Sequence, residues 1–289
     1  MQSLETIRHQ VASMSDLFDI VGTLRAIAAI RVQEAQAALP GIRTYSDSVA
    51  DGLAQAANLL DEGGQVRAAG IEDHRYAHDR LLILFTSEHG FVGGYNEVLL
   101  DRAAAEAEAS GAALFVVGSR GLMLADERGL PVAGSTPMAT HQSGILKLAR
   151  SLVAEVYRRV SERGVRQVAI AYARAETAIA SDVALRTLLP LDLSHFTHGD
   201  SRVEPLHSLP PGVLTEKLVE EYVMAELAHV ATEALASENG ARLKTMDSAH
   251  ENIDEKLKEL RQREHQMRQE QITLELLDIV SGAEAMRTQ

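Results

Sequence analysis

The C-terminal part of the chain sets the strongest limit on what this protein can fold into. From Val213 to the end there is no proline, and Gly240 is the only glycine before Gly282. Proline and glycine are the residues that most disfavour a helix interior. At 1.5 Å per residue, an uninterrupted helix over this stretch is about 100 Å long. A compact domain of this mass cannot cover such a length, so the sequence predicts a helix that extends beyond the core.

Apolar residues recur every seven positions along this predicted helix, a period typical of a coiled coil. The repeat consists of Met246, Ile253, Leu260, Met267 and Leu274. The complementary heptad positions hold mostly polar residues, namely His250, Leu257, Glu264, Gln271 and Asp278. We therefore expect a half-polar seam with loose pairing, and a solvated face along the charged run at 252–270.

The N-terminal end shows the same kind of pattern up to Pro40 and Gly41, where we expect the helix to break. Between residues 4 and 39 one seam follows a 3-4 spacing: Leu4, Ile7, Val11, Met14, Phe18, Val21, Arg25, Ala28 and Val32. A second apolar stripe lies beside it: Leu17, Ile20, Leu24 and Ile27. One seam requires one partner helix, whereas two seams require a bundle or a surrounding sleeve.

The central part of the chain has an α/β pattern. Short apolar runs predict strands at 81–85, 114–117 and 168–172, and helical patterns lie between them at 97–110 and 141–163. This alternation indicates a mainly parallel sheet. We predict a loop or short helix at 61–78 and irregular structure at 190–211. The predicted division is an N-terminal coiled-coil helix (1–60), a central α/β domain (61–211) and a C-terminal coiled-coil helix (212–289).

Composition excludes several classes of partner. The formal net charge is −13, whereas nucleic acids and anionic membranes attract basic surfaces. The sequence has no cysteine, and therefore no disulfide or thiolate chemistry. Its first residues, MQSLETIRHQ, do not resemble a signal peptide, and no apolar run is long enough to span a bilayer. These features lead us to expect a cytoplasmic protein.

Candidate chemical sites are few. The loop TSEHGFVGGYN (86–96) follows a predicted strand, as phosphate-binding loops do, but it lacks the P-loop Lys and the dinucleotide spacing. Tight turning is the better explanation of its glycines. His74 and His78 are spaced i, i+4, but no third zinc ligand is evident, and we interpret them as surface residues, as we do His195, His198 and His207. The sequence shows no catalytic set, and no cofactor is expected.

Several motifs, taken together, resemble the gamma subunit of F-type ATP synthases. The C-terminal part carries ASENGAR (236–242), MDSA (246–249), EN (251–252), Gln269, IT (272–273), EL (275–276) and IVSG (279–282). The N-terminal helix matches at Ile7, Ser13, Ile20 and Ala28-Ala29, and the central loop matches at Ser87, Gly90, Gly93-Gly94 and Asn96. The resemblance is strongest over 230–289 and weakest across 98–203.

The resemblance implies a non-catalytic rotor shaft. The terminal helices would form an antiparallel coiled coil flanking a central Rossmann-like α/β domain. The coiled coil would enter a hexamer of alpha and beta subunits, and the α/β domain would rest on the epsilon subunit and the membrane c-ring. The expected location is the cytoplasmic face of the bacterial inner membrane, with one copy per complex and no nucleic acid. Rotation would couple ion flow to ATP synthesis or hydrolysis on the catalytic subunits.

Individual residues are assigned by the same resemblance. Four residues match family positions that contact the catalytic subunits or tune coupling: Leu24, Arg242, Gln269 and Thr273. Glu204 resembles the position of a ring contact. The end of the chain, ITLELLDIVSGAEAM (272–286), would be the tip of the shaft, through Leu276, Leu277, Ile279 and Val280. Its acidic polar side disfavours a membrane-surface helix.

One departure from the family pattern concerns charge. The family's N-terminal helix is usually rich in lysine, but Asp19 and Gly22 stand where lysines are typical, and residues 1–38 contain no lysine. We therefore expect weaker attraction to the stator, as in a divergent form belonging to an alternative ATPase. Two other classes remain open at this point: an α/β enzyme whose terminal helices form a lid or dimer, and a coiled-coil scaffold.

Overall fold

The structure is a computed structural model that describes residues 3–61, 79–174, 183–191 and 206–287. The helices are α1 (Leu4–Asp61), α2 (Tyr95–Ser110), α3 (Ser119–Glu127), α4 (Ile145–Arg163) and α5 (Pro211–Arg287). The strands are β1 (Arg80–Phe85), β2 (Ala113–Val117), β3 (Val132–Thr136), β4 (Gln167–Ala173) and β5 (Val183–Leu189). A 3₁₀ turn at Gln142–Gly144 precedes α4. The chain divides into two compact units: Met1–Ile27 with Leu243–Gln289, and Ala28–Arg242.

The first unit is an antiparallel pairing of the start of α1 with the end of α5. Arg8 lies 3.4 Å from Glu264, and Arg25 lies 3.5 Å from Asp247, so residue numbers run in opposite directions along the two helices. The seam is apolar at Ile7, Val21, Met246, Leu257 and Leu260, all of which are buried. The predicted antiparallel coiled coil is confirmed, and Arg25, the charged seam position, is exposed and ion-paired.

The seam is also half polar, as expected. The Phe18 ring packs against the His250 imidazole, with 4.0 Å between ring centroids. Beyond Met267, the described α5 side chains are exposed as far as Leu277. The reason is geometric: α1 begins at Leu4, and Arg8 already pairs with Glu264, so α5 extends past the end of its partner helix.

The expected helix break at Pro40 and Gly41 is wrong, because α1 continues through both residues to Asp61. Proline removes one backbone donor and costs about 3 kcal/mol in a helix interior. Packing on both sides of Pro40 offsets that loss, since α1 buries apolar residues before and after it: Ala35, Leu39, Val49, Leu53 and Ala56. Tertiary burial thus overrides the local preference of proline.

The second unit contains a five-stranded sheet in the order β3-β2-β1-β4-β5. The first four strands are parallel, with Leu82 opposite Leu114 and Ala169, and β5 pairs antiparallel with β4. The α/β class flanked by long terminal helices is confirmed. The sequence pattern missed β3, which has no apolar run (VAGST), and β5, whose apolar run is interrupted by Arg186 and Thr187.

Each face of the sheet has its own apolar core. On one face, α4 and α5 pack against alternate strand residues such as Leu81, Ile83 and Phe85. On the other face, α2 and α3 pack against Leu82 and Leu84. The central strands are covered on both sides, which explains why they are apolar without alternation.

A polar network lies in the second unit where α1, α5 and β5 meet. Arg43 donates long hydrogen bonds to the imidazole Nε2 of His229 at 3.5 Å and to Glu233 at 3.4 Å. Arg186 donates to Glu226 at 2.7 Å. His229 and Glu233 are buried in a poorly solvated environment, whereas the Arg43 and Arg186 side chains are half exposed.

The stability of the chain is expected to fall as the pH drops below about 6.5. Burial lowers the pKa of His229; Glu233 and Glu226 oppose this shift, and Arg186 and Arg43 add to it. Because the folded pKa lies below the unfolded value, the contribution of neutral His229 is complete above the unfolded pKa. It is lost progressively as the pH falls from that value through the folded pKa.

Thermal unfolding between pH 7.5 and 5 measures the contribution of His229. The melting temperature of the wild type should decrease with acidity more steeply than that of His229→Gln, whose amide oxygen can still accept from Arg43. His9→Gln, at an exposed position of α1, is the matched control. Equal slopes for the wild type and His229→Gln would contradict this account.

Candidate functional site: the glycine loop and helix α5

The glycine loop (residues 86–96) connects β1 to α2 at the carboxyl edge of the sheet. Two residues adopt positive φ, Phe91 at 63° and Gly93 at 58°. The loop is closed by a pair of hydrogen bonds: the Ser87 amide donates to Asn96 Oδ1 at 3.0 Å, and Asn96 Nδ2 donates to Ser87 Oγ at 2.8 Å. Tight turning is therefore needed at Gly93, whereas a side chain at Gly90 or Gly94 would meet no atom within 4 Å.

Glu88 ties the loop to the ends of the neighbouring strands. Its carboxylate accepts from the Ser119 amide at 3.0 Å and the Ser119 hydroxyl at 2.7 Å, at the start of α3. It also accepts from the Met138 amide at 2.7 Å, just after β3. A carboxylate is favourable at a helix N-terminus, where amide donors have no partner within the helix. Glu88 thus connects three segments at the carboxyl edge of the sheet.

Helix α5 binds the same loop from its own side. The Glu238 carboxylate accepts from the amides of Glu88 at 3.3 Å and His89 at 3.5 Å. Arg242 donates through Nε to the Gly90 carbonyl at 3.2 Å and through Nη2 to the His89 carbonyl at 3.1 Å. We call this arrangement the clamp: Glu238 and Arg242 of α5 with the backbone of residues 88–90.

The two charged side chains of the clamp also pair with each other. Arg242 Nη2 lies 2.6 Å from Glu238 Oε1, and Nη1 donates to Asn239 Oδ1 at 3.0 Å. Burial raises the pKa of Glu238, and Arg242 together with the two loop amides opposes that shift. Burial also raises the pKa of the nearby Tyr95 phenol, and the negative charge of Glu238 raises it further. A buried pair of this kind needs all of its hydrogen bonds, because losing one partner leaves a buried charge unpaired.

The clamp occupies the crevice in which open α/β sheets usually bind ligands, outside the carboxyl ends of the strands. Two loop amides that could hold an anion already donate to Glu238. The arrangement is therefore suited to holding α5 against the sheet. Among the described residues, no group of three or more His, Asp or Glu side chains could hold a metal ion.

The residues assigned from sequence lie in several places. Arg242 belongs to the clamp, whereas Leu24 is half-buried on α1 in the first unit. Gln269 and Thr273 are exposed on adjacent turns of α5, where the Thr273 hydroxyl donates to the Gln269 carbonyl at 2.8 Å. The four residues assigned to the tip are all exposed: Leu276, Leu277, Ile279 and Val280. Five of the residues named from the sequence lie outside the described residues: Glu204, His74, His78, His195 and His198. The remaining histidine, His207, contacts the Leu209 carbonyl.

The second apolar stripe of α1 lies on the surface of the chain. Its exposed members, with Ile30 extending them by one turn, are Leu17 (44% exposed), Ile20 (57%), Ile27 (48%) and Ile30 (54%). These residues form an apolar surface that the described chain leaves to solvent.

Sequence reasoning missed the role of Glu238. The only local signal for it was the i, i+4 spacing of Glu238 and Arg242 within ASENGAR, which permits an ion pair on one helix face. Nothing local indicated that the loop around His89, about 150 positions earlier, supplies the remaining partners.

Among the described residues, no helix is both apolar enough and long enough to cross a bilayer.

Comparison with known proteins shows full-length similarity to one family. The model of the ATP synthase family matches residues 3–286. The ATP synthase gamma chain of Bdellovibrio bacteriovorus is 26% identical over 99% of this chain and 100% of its own length. The ATP synthase gamma chain of Paracoccus denitrificans is 27% identical, with the same shares covered.

Solved structures show the same fold. A chain of the Euglena gracilis mitochondrial ATP synthase OSCP/F1/c-ring structure aligns with a TM-score of 0.65 at 18% identity, covering 98% of this chain and 94% of that chain. A chain of the Tetrahymena thermophila mitochondrial ATP synthase central stalk and c-ring gives 0.56 at 20% identity, covering 80% and 99%. The chain therefore belongs to the ATP synthase family, as a non-catalytic gamma subunit of the central stalk.

Proposed function

We propose that the exposed apolar stripe of α1 and the apolar tip of α5 form the surface on which this rotor turns inside a hexamer of alpha and beta subunits. The observation that carries the proposal is the stripe itself. Four large aliphatic side chains at helical spacing are exposed on a helix whose other apolar face is already paired with α5. Contiguous exposed apolar surface on a soluble chain is typical of a protein interface.

The tip supports the same proposal. Leu276, Leu277, Ile279 and Val280 are each more than half exposed, and α1 does not extend far enough to cover them. An apolar tip gives a contact without directional bonds, which a shaft can slide across as it turns. We propose that Leu24, Gln269 and Thr273 contact the catalytic subunits near this region. Rotation of an asymmetric shaft would then bias those subunits among their conformations.

The second unit would form the foot of the rotor. We propose that it contacts the epsilon subunit and the c-ring, with Glu204 near the ring, at the cytoplasmic face of a bacterial inner membrane. Ion flow would turn the foot, and α5, which runs through both units, would carry the rotation to the shaft. Arg242 would act on coupling through the clamp.

The charge of α1 favours catalytic subunits that differ from those usual in the family. The described part of α1 up to residue 38 carries Arg8, Arg25 and Arg31 against Glu5, Asp16, Asp19 and Glu34. A shaft without an excess of positive charge attracts acidic stator loops weakly. We propose that this chain works with catalytic subunits whose facing loops are less acidic, as in an alternative ATPase.

Co-expression with alpha and beta subunits from the same organism tests the assembly. The chain is expected to elute in one complex at one copy per hexamer, and the purified chain alone is expected to show no ATPase activity. Native mass spectrometry measures the stoichiometry. A hexamer that forms and hydrolyses ATP without ever retaining this chain would refute the proposal.

A further inference from the structure

The apolar contact between α5 and the sheet combines small and larger side chains. The buried α5 residues of this core are Ala228, Ala231 and Ala234 beside Val223, Leu227, Val230 and Leu235. Hydrophobic contact is non-directional, and packed helices shift past one another in small shear motions. A rotor that passes torque from the sheet to α5 therefore needs directional contacts between them.

The clamp supplies directional contacts from one negatively and one positively charged side chain. Glu238 accepts from two consecutive loop amides, and Arg242 donates to two consecutive loop carbonyls, so three adjacent residues of the loop, 88–90, are held from both sides. All four loop atoms belong to the backbone, so the contact does not depend on mobile loop side chains. Glu238 is 3% exposed and Arg242 9%, and the low local dielectric strengthens their bonds.

The clamp also continues into the sheet. Glu88, whose amide donates to Glu238, holds the start of α3 and the residue two positions after β3 through its own carboxylate. Polar contacts therefore run from α5, through the loop, to the ends of three strands. Helix α5 makes further polar contacts with this unit: Arg186 of β5 donates to Glu226 at 2.7 Å from a side chain that is 44% exposed, and Gln142 donates to Thr232 at 3.4 Å.

We propose that Glu238 is a positioning residue of the rotor: with Arg242 it locks α5 to the carboxyl edge of the sheet, so that the two turn as one body. This inference rests on the proposed function, because torque must pass through the α5–sheet contact only if the chain is a rotor. Removing Glu238 leaves Arg242 buried without its carboxylate and frees two loop amides. The contact between α5 and the sheet then shifts under torque, although the chain remains folded around its apolar cores.

The test compares hydrolysis with transport in the assembled, membrane-bound complex. In Glu238→Ala, ATP hydrolysis should be retained, while ions transported per ATP should fall several-fold. Glu238→Gln should fall less, because its amide oxygen can still accept from the loop. Asp254→Asn, which removes the carboxylate of a solvent-exposed i, i+4 ion pair on the same helix, is the control and should keep the wild-type ratio.

A role confined to stability predicts a different outcome. Hydrolysis and transport would then fall together, in proportion to the amount of complex, and that result would overturn the proposal. A wild-type chain that never enters the hexamer would instead defeat the proposed function. In the free chain, amide exchange at Glu88 and His89 should accelerate by about tenfold or more in Glu238→Ala, since both amides lose a charged acceptor.

Discussion

Replacing both Ile20 and Ile27 by aspartate is expected to abolish incorporation of the chain into the alpha–beta hexamer. Each isoleucine is about half exposed in the free chain, and burial of such a side chain in an interface contributes roughly 1–2 kcal/mol. An aspartate at the same place would have to be buried without a partner, which costs several kcal/mol more. Together the two changes should lower the association constant by about 10³ or more.

The free chain should tolerate the same substitutions. Both positions lie on the exposed side of α1, so the melting temperature of the isolated chain should hardly change. Co-purification with the hexamer, measured by native mass spectrometry, reports the loss. Ile20→Leu with Ile27→Leu is the matched control, because it retains the apolar surface. Normal incorporation of the aspartate variant would show that the stripe does not face the stator.

Substitution of Gly118 by alanine is expected to destabilise the second unit by about 3–5 kcal/mol, from backbone strain plus overpacking. Gly118 follows β2 with φ at 116°, a conformation that residues with a side chain rarely adopt. An added Cβ would lie 2.5 Å from Thr86 Oγ1, 2.6 Å from the Thr86 carbonyl and 2.8 Å from the Ser87 carbonyl. Two of these atoms belong to the backbone of the glycine loop, so the clash cannot be relieved by one rotamer change.

Gly111→Ala separates strain from the clash. Gly111 also has a positive φ, 68°, but an added Cβ there meets no atom within 4 Å. Its cost should therefore be only about 1–2 kcal/mol. Denaturant unfolding of both variants measures the difference, which should appear in the midpoint. Equal destabilisation would mean that the close approach of Gly118 to the glycine loop has no energetic consequence.

The clarity of the local periodicity explains which elements could be predicted. The strands around Ile83, Val116 and Ile170 are buried on both sides, and their apolar runs identify them. Edge strand β3 carries no such run, because its residues are only partly covered. The prediction at Pro40 was wrong because it considered the cost of one proline without the burial on both sides of it. Domain boundaries and the roles assigned to single residues stay predictions.

The functional residues also differ in whether a local sequence pattern reveals them. Leu17, Ile20, Leu24 and Ile27 could be recognised as a second stripe because their spacing is a local property of one helix. Gln269 and Thr273 could be assigned only through the family motif. Glu238 could not be assigned at all, since its partners lie on a loop about 150 residues away in sequence.

The sequence by itself determined the long terminal helices, their two apolar stripes, the three central strands and the family. All of these depend on residue spacing within a single segment, and the period of that spacing is set by backbone geometry. Only the tertiary structure decided that α1 passes through Pro40, that Gly118 has no room for a side chain, and that α5 closes the crevice of the sheet with Glu238 and Arg242. Those outcomes depend on which distant segments pack against one another, and residue spacing within a single segment does not reveal such contacts.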